Sequence, residues 1–283
     1  MSLTSQISTP DSPFALFAGQ HLPNQRGVMD GYRKAARAAS PPRQPPAPPG
    51  TTPAWGTIGA AIDHRLRYAF TCRNVLDGAV RAGIEHTAKL ALRAQRPDGA
   101  RAILDAGNDL EAELADLLER EQPDDRNKAL MLSTAAEDRL DRLCVVMVWF
   151  EEVFRSGFLA GASPLARLGP PQTQPAHLAQ VPDYMLQDLN VQVRLAHDAL
   201  AALRAGTDRD NCHSGPAFAG SSAVGGADAD LIAGSLLVTS KLSRTPSGSP
   251  AAPCTSWPAT PCWISRTATA WTGWGSTLPA AAN

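Results

Sequence analysis

Two aspartates and a lysine in the last quarter of the chain have the residue types and spacing of a catalytic cluster. Asp228 and Asp230 alternate along a predicted strand and therefore share one of its faces. After a predicted turn at 233–235, Thr239 and Lys241 share a face of the next strand. Two such strands would gather carboxylates and an ammonium group around one point. Carboxylates can hold a hard cation, and an ammonium group can stabilise developing negative charge.

The chain changes character immediately after this hairpin. Residues 242–283 contain no Asp or Glu, and Arg244 and Arg266 are their only charged residues. No hydrophobic period of a helix or a strand continues there. The segment nevertheless holds four of the six tryptophans, namely Trp257, Trp263, Trp271 and Trp274. We therefore predict that 242–283 is disordered and does not encode a natural continuation of the fold.

The hairpin resembles the core motif of the PD-(D/E)xK nucleases, and in particular the RecB-like branch of this restriction-endonuclease-like superfamily. That motif is an acidic residue on one strand, preceded by glycine, and then (D/E)xK on the next strand. Here the glycines at 225–226 precede Asp228 and Asp230, and Lys241 supplies the lysine. Thr239 stands where the second acidic residue is expected.

The resemblance implies a Mg²⁺- or Mn²⁺-dependent phosphodiesterase that acts on nucleic acid. It makes Asp230 and Asp228 the candidate metal ligands and catalytic carboxylates, with Asp230 preferred, and it makes Lys241 the catalytic lysine. The neutral hydroxyl of Thr239 cannot replace a carboxylate ligand. We therefore expect this copy to be inactive.

A single lost base near the Val238 codon would explain both Thr239 and the unusual tail. Restoring the other reading frame permits LLVDIKA in the second strand, with Asp at position 239 and Lys at 241, and permits QxxxY further on, as in the RecB-like pattern. The genetic code fixes five of the restored residues. The codon pairs at 257–258, 262–263 and 274–275 must give Ala, Leu and Gly, and the pairs at 263–264 and 271–272 must both give Asp.

Segments nearer the amino terminus support the same assignment. The start of the chain, residues 55–68 and residues 150–155 resemble a group of uncharacterised actinobacterial proteins in which the hairpin continues into DxK. The helix at 55–68 is also similar to the GxxxH helix of RecB-like nucleases, with Asp63 in place of the histidine. Asp63 is therefore a third candidate metal ligand, and His64 projects to the opposite side. We predict that Glu151 and Glu152 lie on a solvated helix face.

The composition restricts the location of the protein more than its activity. A net charge of −1 gives no bulk electrostatic case for binding nucleic acid. The five cysteines show no paired or zinc-binding spacing, which is typical of a reducing, cytoplasmic setting. No signal segment opens the chain, and the longest apolar run, 143–150, is too short to span a bilayer. The oligomeric state is left open.

The hydrophobic pattern predicts a mostly α-helical fold with a short carboxyl-terminal β-hairpin, an incomplete remnant of a restriction-endonuclease-like α/β core. The expected parts are a helical segment at 1–40, a proline-rich linker at 41–53, a helical body at 54–206, an isolated hairpin at 222–241 and the tail at 242–283. Within the body, helices are expected from residue 56 onward and at 74–95, 100–121, 124–159 and 183–205.

Two classes of function agree with these features. The first is the metal-dependent phosphodiesterase, inactivated in this copy. The second is a helical module without enzymatic activity that binds a protein or a nucleic acid.

Overall fold

The computed structural model describes residues 9–21, 48–71, 76–121, 132–168, 180–216, 230–241 and 263–267, with the single residues 24, 27, 30, 31, 34 and 178. Within these ranges the helices are α1 Pro13–His21, α2 Trp55–Thr71, α3 Gly78–Arg93, α4 Pro97–Arg120, α5 Thr134–Ser156 and α6 Asp183–Ala205. Short 3-10 helices, Pro164–Arg167 and Arg209–Asn211, follow α5 and α6. The predicted mostly helical fold with a small β part is confirmed.

Capping residues determine where the helices begin and end. The helix expected from residue 74 begins at Gly78, because the Asp77 side chain accepts a hydrogen bond from the backbone N–H of Ala79. Helix α5 begins ten residues after the expected position 124, with Ser133 as its cap. Residues 122–131 lie outside the described ranges. Helix α5 ends at Ser156, and its carboxyl-terminal cap is Gly157, whose φ of 68° favours glycine.

Helix α5 is the centre of the helical body. Residues 143–148 are six consecutive positions with at most 1 % of their surface exposed. Such a run is buried on all sides because α5 contacts α2, α3, α4 and α6. The approach of α3 is so close that a Cβ atom at Gly83 would lie 2.2 Å from the carbonyl oxygen of Phe150.

Helix α2 connects this body to the sheet. It contacts α5 and α6 as well as the two strands Cys212–Ser214 (β1) and Leu236–Lys241 (β3). Twelve of its seventeen residues are buried, and they include His64, Arg65 and Arg67. Charged side chains of α2 are therefore inside the protein, where each needs a partner.

The sheet is antiparallel and contains the predicted hairpin. The strand order is β1, β2 (Leu231–Ala233), β3 and β4 (Trp263–Thr267). Strands β2 and β3 pair Leu231 with Val238 and are joined by a two-residue turn, whose Gly234 has a φ of 60°. The first strand was expected over 224–232, but it begins at Leu231; residues 217–229 lie outside the described ranges.

The expectation of an isolated hairpin is wrong. Leu231, Ala233 and Val238 belong to the same buried cluster as the helical core. A two-stranded hairpin is marginal by itself, and packing against α2 supplies the apolar burial that it needs.

The two ends of the chain are described only in part. Helix α1 agrees with the start signal before Pro13, whereas most of 22–47 lies outside the described ranges. Of the tail expected to be disordered, the structure describes only Trp263–Thr267, and these five residues differ from the expectation by pairing with the outer edge of β3. Within the described ranges, no helix has both the length and the apolar character to cross a membrane.

Candidate functional site

Helix α2 carries the first two residues of the candidate site. Asp63 and Arg67 are one helical turn apart, and Asp63 Oδ2 lies 2.5 Å from Arg67 Nη2. Arg67 is only 6 % exposed, because α2 is covered by helices on one side and by the sheet on the other. The pair is therefore an internal ion pair and not a solvated helix contact.

Asp77 is the second carboxylate at this guanidinium. Its Oδ2 lies 2.6 Å from Arg67 Nη1, and its Oδ1 accepts a 2.8 Å hydrogen bond from the N–H of Ala79. The same side chain therefore begins α3 and neutralises part of the charge of Arg67.

Asp230, immediately before β2, is the third carboxylate. Its Oδ1 lies 3.9 Å from Arg67 Nη2, and its backbone carbonyl accepts a 3.0 Å hydrogen bond from the N–H of Gly215. The Gly215 backbone, with a φ of 54°, comes so close that a Cβ atom there would lie 3.2 Å from Arg67 Nη1. We call Asp63, Asp77, Asp230 and Arg67 the carboxylate cluster.

The electrostatics of the cluster are those of a buried, charged network. Burial alone would lower the pKa of Arg67, but the three carboxylates around it raise the pKa above the ordinary value, so the guanidinium is always charged. Burial raises the pKa of Asp63, and the charge of Asp230 adds to this increase while Arg67 opposes it. Arg67 thus supplies one positive charge to three acidic groups that lie within 4 Å of it.

Two of the predicted site residues meet in this cluster. Asp63 from α2 and Asp230 from the edge of the hairpin both lie at Arg67, although 167 positions separate them in the sequence. Asp228 lies outside the described residues. Lys241 is the last residue of β3, where its backbone pairs with Trp263, and its side chain is outside the described part of the structure.

The strand register relates Asp230 to the position where the acidic residue of the motif is missing. Leu231 pairs with Val238, so extending the antiparallel register by one pair places Asp230 opposite Thr239. Directly opposite residues of antiparallel strands share a face of the sheet. A carboxylate at position 239 would therefore be the cross-strand neighbour of Asp230.

Sequence reasoning missed Arg67 and Asp77. The spacing of Asp63 and Arg67, four residues apart, was a readable signal for a helix ion pair. The capping role of Asp77 was also readable from its position before Gly78. Their convergence on the hairpin depends on the packing of α2 and could not be read from local patterns.

The prediction that Glu151 and Glu152 form a solvated face is wrong for Glu151. Glu151 is 6 % exposed, and its Oε2 lies 2.9 Å from Nε2 of the buried His64. Burial would raise the pKa of Glu151, but its hydrogen bond to His64 and the nearby Arg155 and Arg67 charges lower it overall. Glu152 accepts a 2.6 Å hydrogen bond from the hydroxyl of Thr57. Both glutamates therefore face α2.

A second buried ionic group links α2 to α5. Arg65 donates to both carboxylate oxygens of Glu137, at 2.6 and 2.8 Å. Asp141 lies further away, with 4.0 Å between its Oδ1 and Arg65 Nε, and this buried oxygen has no hydrogen-bond partner. Burial raises the pKa of Asp141 to about 8 despite the attraction of Arg65.

The residues that the structure describes do not fit the Mg²⁺ that the family resemblance implies. Mg²⁺ requires an octahedron of oxygens at about 2.0–2.1 Å from one point. Within the described ranges, no group of three His, Cys, Asp or Glu side chains could hold a metal ion. The oxygens of Asp63 and Asp77 are instead within hydrogen-bond distance of Arg67. The cluster is arranged around a guanidinium.

No family model, curated protein or solved structure matches the chain. Any assignment of function therefore rests on the sequence and the structure of this chain.

Proposed function

We propose that the chain is a PD-(D/E)xK-type, metal-dependent phosphodiesterase for nucleic acid that is catalytically inactive in this copy. The observation that carries the proposal is the relation between Asp230 and position 239. By the strand register the two positions are cross-strand neighbours, as the two carboxylates of the motif should be, and the second of them is Thr239.

The position of Asp63 supports the same proposal independently of the hairpin motif. Asp63 lies on a helix that is similar to the GxxxH helix of RecB-like nucleases. It lies with Asp230 at one guanidinium, so a helix carboxylate and a strand carboxylate converge at the edge of the sheet.

The arrangement also supports the inactivity of this copy. Arg67 is the charge partner of Asp63 and Asp77, and Thr239 adds no negative charge beside Asp230. Asp230 is the more strongly supported strand carboxylate, because it is the one that lies next to the described register of β2 and β3.

The test is to restore the carboxylate that the motif requires. Thr239→Asp should give cleavage of DNA or RNA in Mg²⁺ or Mn²⁺, about 10²-fold or more above the natural chain, because the acidic neighbour of Asp230 returns. Thr239→Asn is the matched control, since it has nearly the same size and no charge, and it should stay inactive. Adding Asp230→Asn to Thr239→Asp should abolish the cleavage.

Two outcomes would contradict the proposal. The first is robust metal-dependent cleavage by the natural chain that is lost on Asp230→Ala, which would refute the inactivity. The second is a folded protein, with its reading frame restored after Val238, that cuts no nucleic acid. That result would favour the second function class, a helical interaction module.

A further inference from the structure

Arg67 occupies the centre of a group of acidic residues in which a metal-dependent enzyme would hold its cation. Its Nη2 and Nη1 lie 2.5 and 2.6 Å from Asp63 and Asp77, and Asp230 lies at 3.9 Å. The three carboxylates come from α2, from the cap of α3 and from the edge of β2. Three separate parts of the fold therefore converge on one positive charge.

The fit of the guanidinium is incomplete. Arg67 is 6 % exposed, and its Nε is buried without a hydrogen-bond partner. An arginine that the fold had optimised as a structural ion pair would use all of its donors, because an unsatisfied buried N–H is costly. Both terminal nitrogens face carboxylates, whereas the burial of Nε costs desolvation free energy that no hydrogen bond offsets.

We propose that Arg67 is a built-in cation that takes the place of a divalent metal ion between Asp63 and Asp77 and blocks metal binding there. The charge of Arg67 cannot be removed by pH, since guanidinium stays protonated in proteins. The block is therefore constitutive in the natural chain. This inference rests on the proposed function in one respect, namely that the carboxylate cluster is a former metal site.

The block is compatible with the gain of function expected from Thr239→Asp. Asp230 is the member of the cluster with the longest distance to Arg67. Position 239 is the cross-strand neighbour of Asp230 by register. An added carboxylate there would create oxygen ligands on the side of the cluster that Arg67 contacts least.

The experiment measures Mn²⁺ binding, without nucleic acid, by calorimetry and by the electron paramagnetic resonance signal of free Mn²⁺. The natural chain should bind no Mn²⁺ at the cluster. Arg67→Met removes the charge while keeping much of the side-chain volume. It should bind Mn²⁺ at least about tenfold more tightly than the natural chain, since the carboxylates lose their positive neighbour at short range.

Two control variants separate the charge of Arg67 from other effects. Arg67→Lys keeps a positive charge and should remain unable to bind Mn²⁺. Arg81→Met removes an exposed arginine that pairs with Glu111, and it should behave like the natural chain. Adding Asp63→Asn to Arg67→Met should abolish the new binding.

Thermal unfolding covers the case in which Arg67→Met is unstable without a cation. An Arg67→Met protein that unfolds in EDTA and folds in Mn²⁺ supports the inference. It is overturned by an Arg67→Met protein that binds no Mn²⁺, whether it is folded or unfolded in both solutions. It is also overturned by a natural chain whose Mn²⁺ binding is lost on Asp63→Asn.

Failure of this inference can be distinguished from failure of the proposed function. Mn²⁺ binding by Arg67→Met, with no cleavage by a chain whose reading frame is restored after Val238, would leave the built-in cation in place and refute the nuclease. Cleavage by Thr239→Asp, with no Mn²⁺ binding by Arg67→Met, would support the nuclease and refute the built-in cation.

Discussion

Asp141 shows how much a single buried acidic residue contributes to the stability of this protein. It is 1 % exposed on α5 and faces Arg65 of α2, whose two short hydrogen bonds go to Glu137 instead. Asp138 on its own helix adds to its negative surroundings, and the thiol of Cys144 stays neutral because burial raises its pKa. Asp141 is therefore the acidic group of this network that the fold stabilises least in its charged form.

The stability of the natural chain should fall as the pH rises toward 8. The folded-state pKa of Asp141 is raised from 3.8 to about 8, so the protonated form is favoured by folding. Its contribution is complete below the unfolded pKa and is lost as the pH rises through the folded pKa. Asp141→Asn cannot ionise, so it should remove this slope and be more stable at pH 8 by roughly 1–3 kcal/mol.

Urea unfolding at several pH values between 5 and 9 measures this effect. Asp116→Asn is the matched control, because Asp116 is exposed on α4 and pairs with Arg120, away from Asp141. A natural chain and an Asp141→Asn variant with parallel pH profiles would show that Asp141 is not the group responsible.

At the scale of the elements, long helices could be predicted more accurately than the contacts between them. The bounds of α6 agree with the predicted 183–205, because its apolar stripe continues for the whole length. The start of α5 differs from its prediction because a local cap at Ser133 determines it. The packing of the hairpin on α2 was missed, since it depends on contacts between residues distant in sequence.

In the candidate site, too, features with a local sequence signal could be predicted, and contacts between elements could not. The similarity of its helix to the GxxxH helix made Asp63 a candidate ligand, and Asp63 lies at Arg67 together with Asp230. The burial of Glu151 could not be predicted, because it results from the way α2 covers α5. Periodicity gives the face of a helix, but it does not identify the element that covers that face.

The close contact of α3 with α5 leads to a prediction for this pair of helices. Gly83→Ala would place a Cβ atom 2.2 Å from the carbonyl oxygen of Phe150, so one helix must move. We expect a loss of about 1–3 kcal/mol in the free energy of unfolding from overpacking, despite the better helix propensity of alanine. Gly78→Ala is the control, because nothing lies within 4 Å of its Cβ position. Equal stabilities of the two variants in urea would contradict the close packing.

At the scale of the whole molecule, the hydrophobic core of the side chains that the structure describes comes mainly from the helices. The last buried apolar residue in it is Val238, and the helices supply most of the others. Strand β4, the described part of the tail, pairs with the outer edge of β3 through the backbone. The stability of the helical body should therefore be almost independent of 242–283.

A chain that ends at Lys241 tests this directly. It should keep its helical circular dichroism signal and lose no more than about 1–2 kcal/mol of unfolding free energy, because water can replace the lost backbone hydrogen bonds at an exposed sheet edge. Limited proteolysis of the full chain should yield a stable product of nearly the same length. Loss of cooperative unfolding in the shortened chain would instead mean that 242–283 is an integral part of the fold, and the interpretation of the tail as an out-of-frame product would then be wrong.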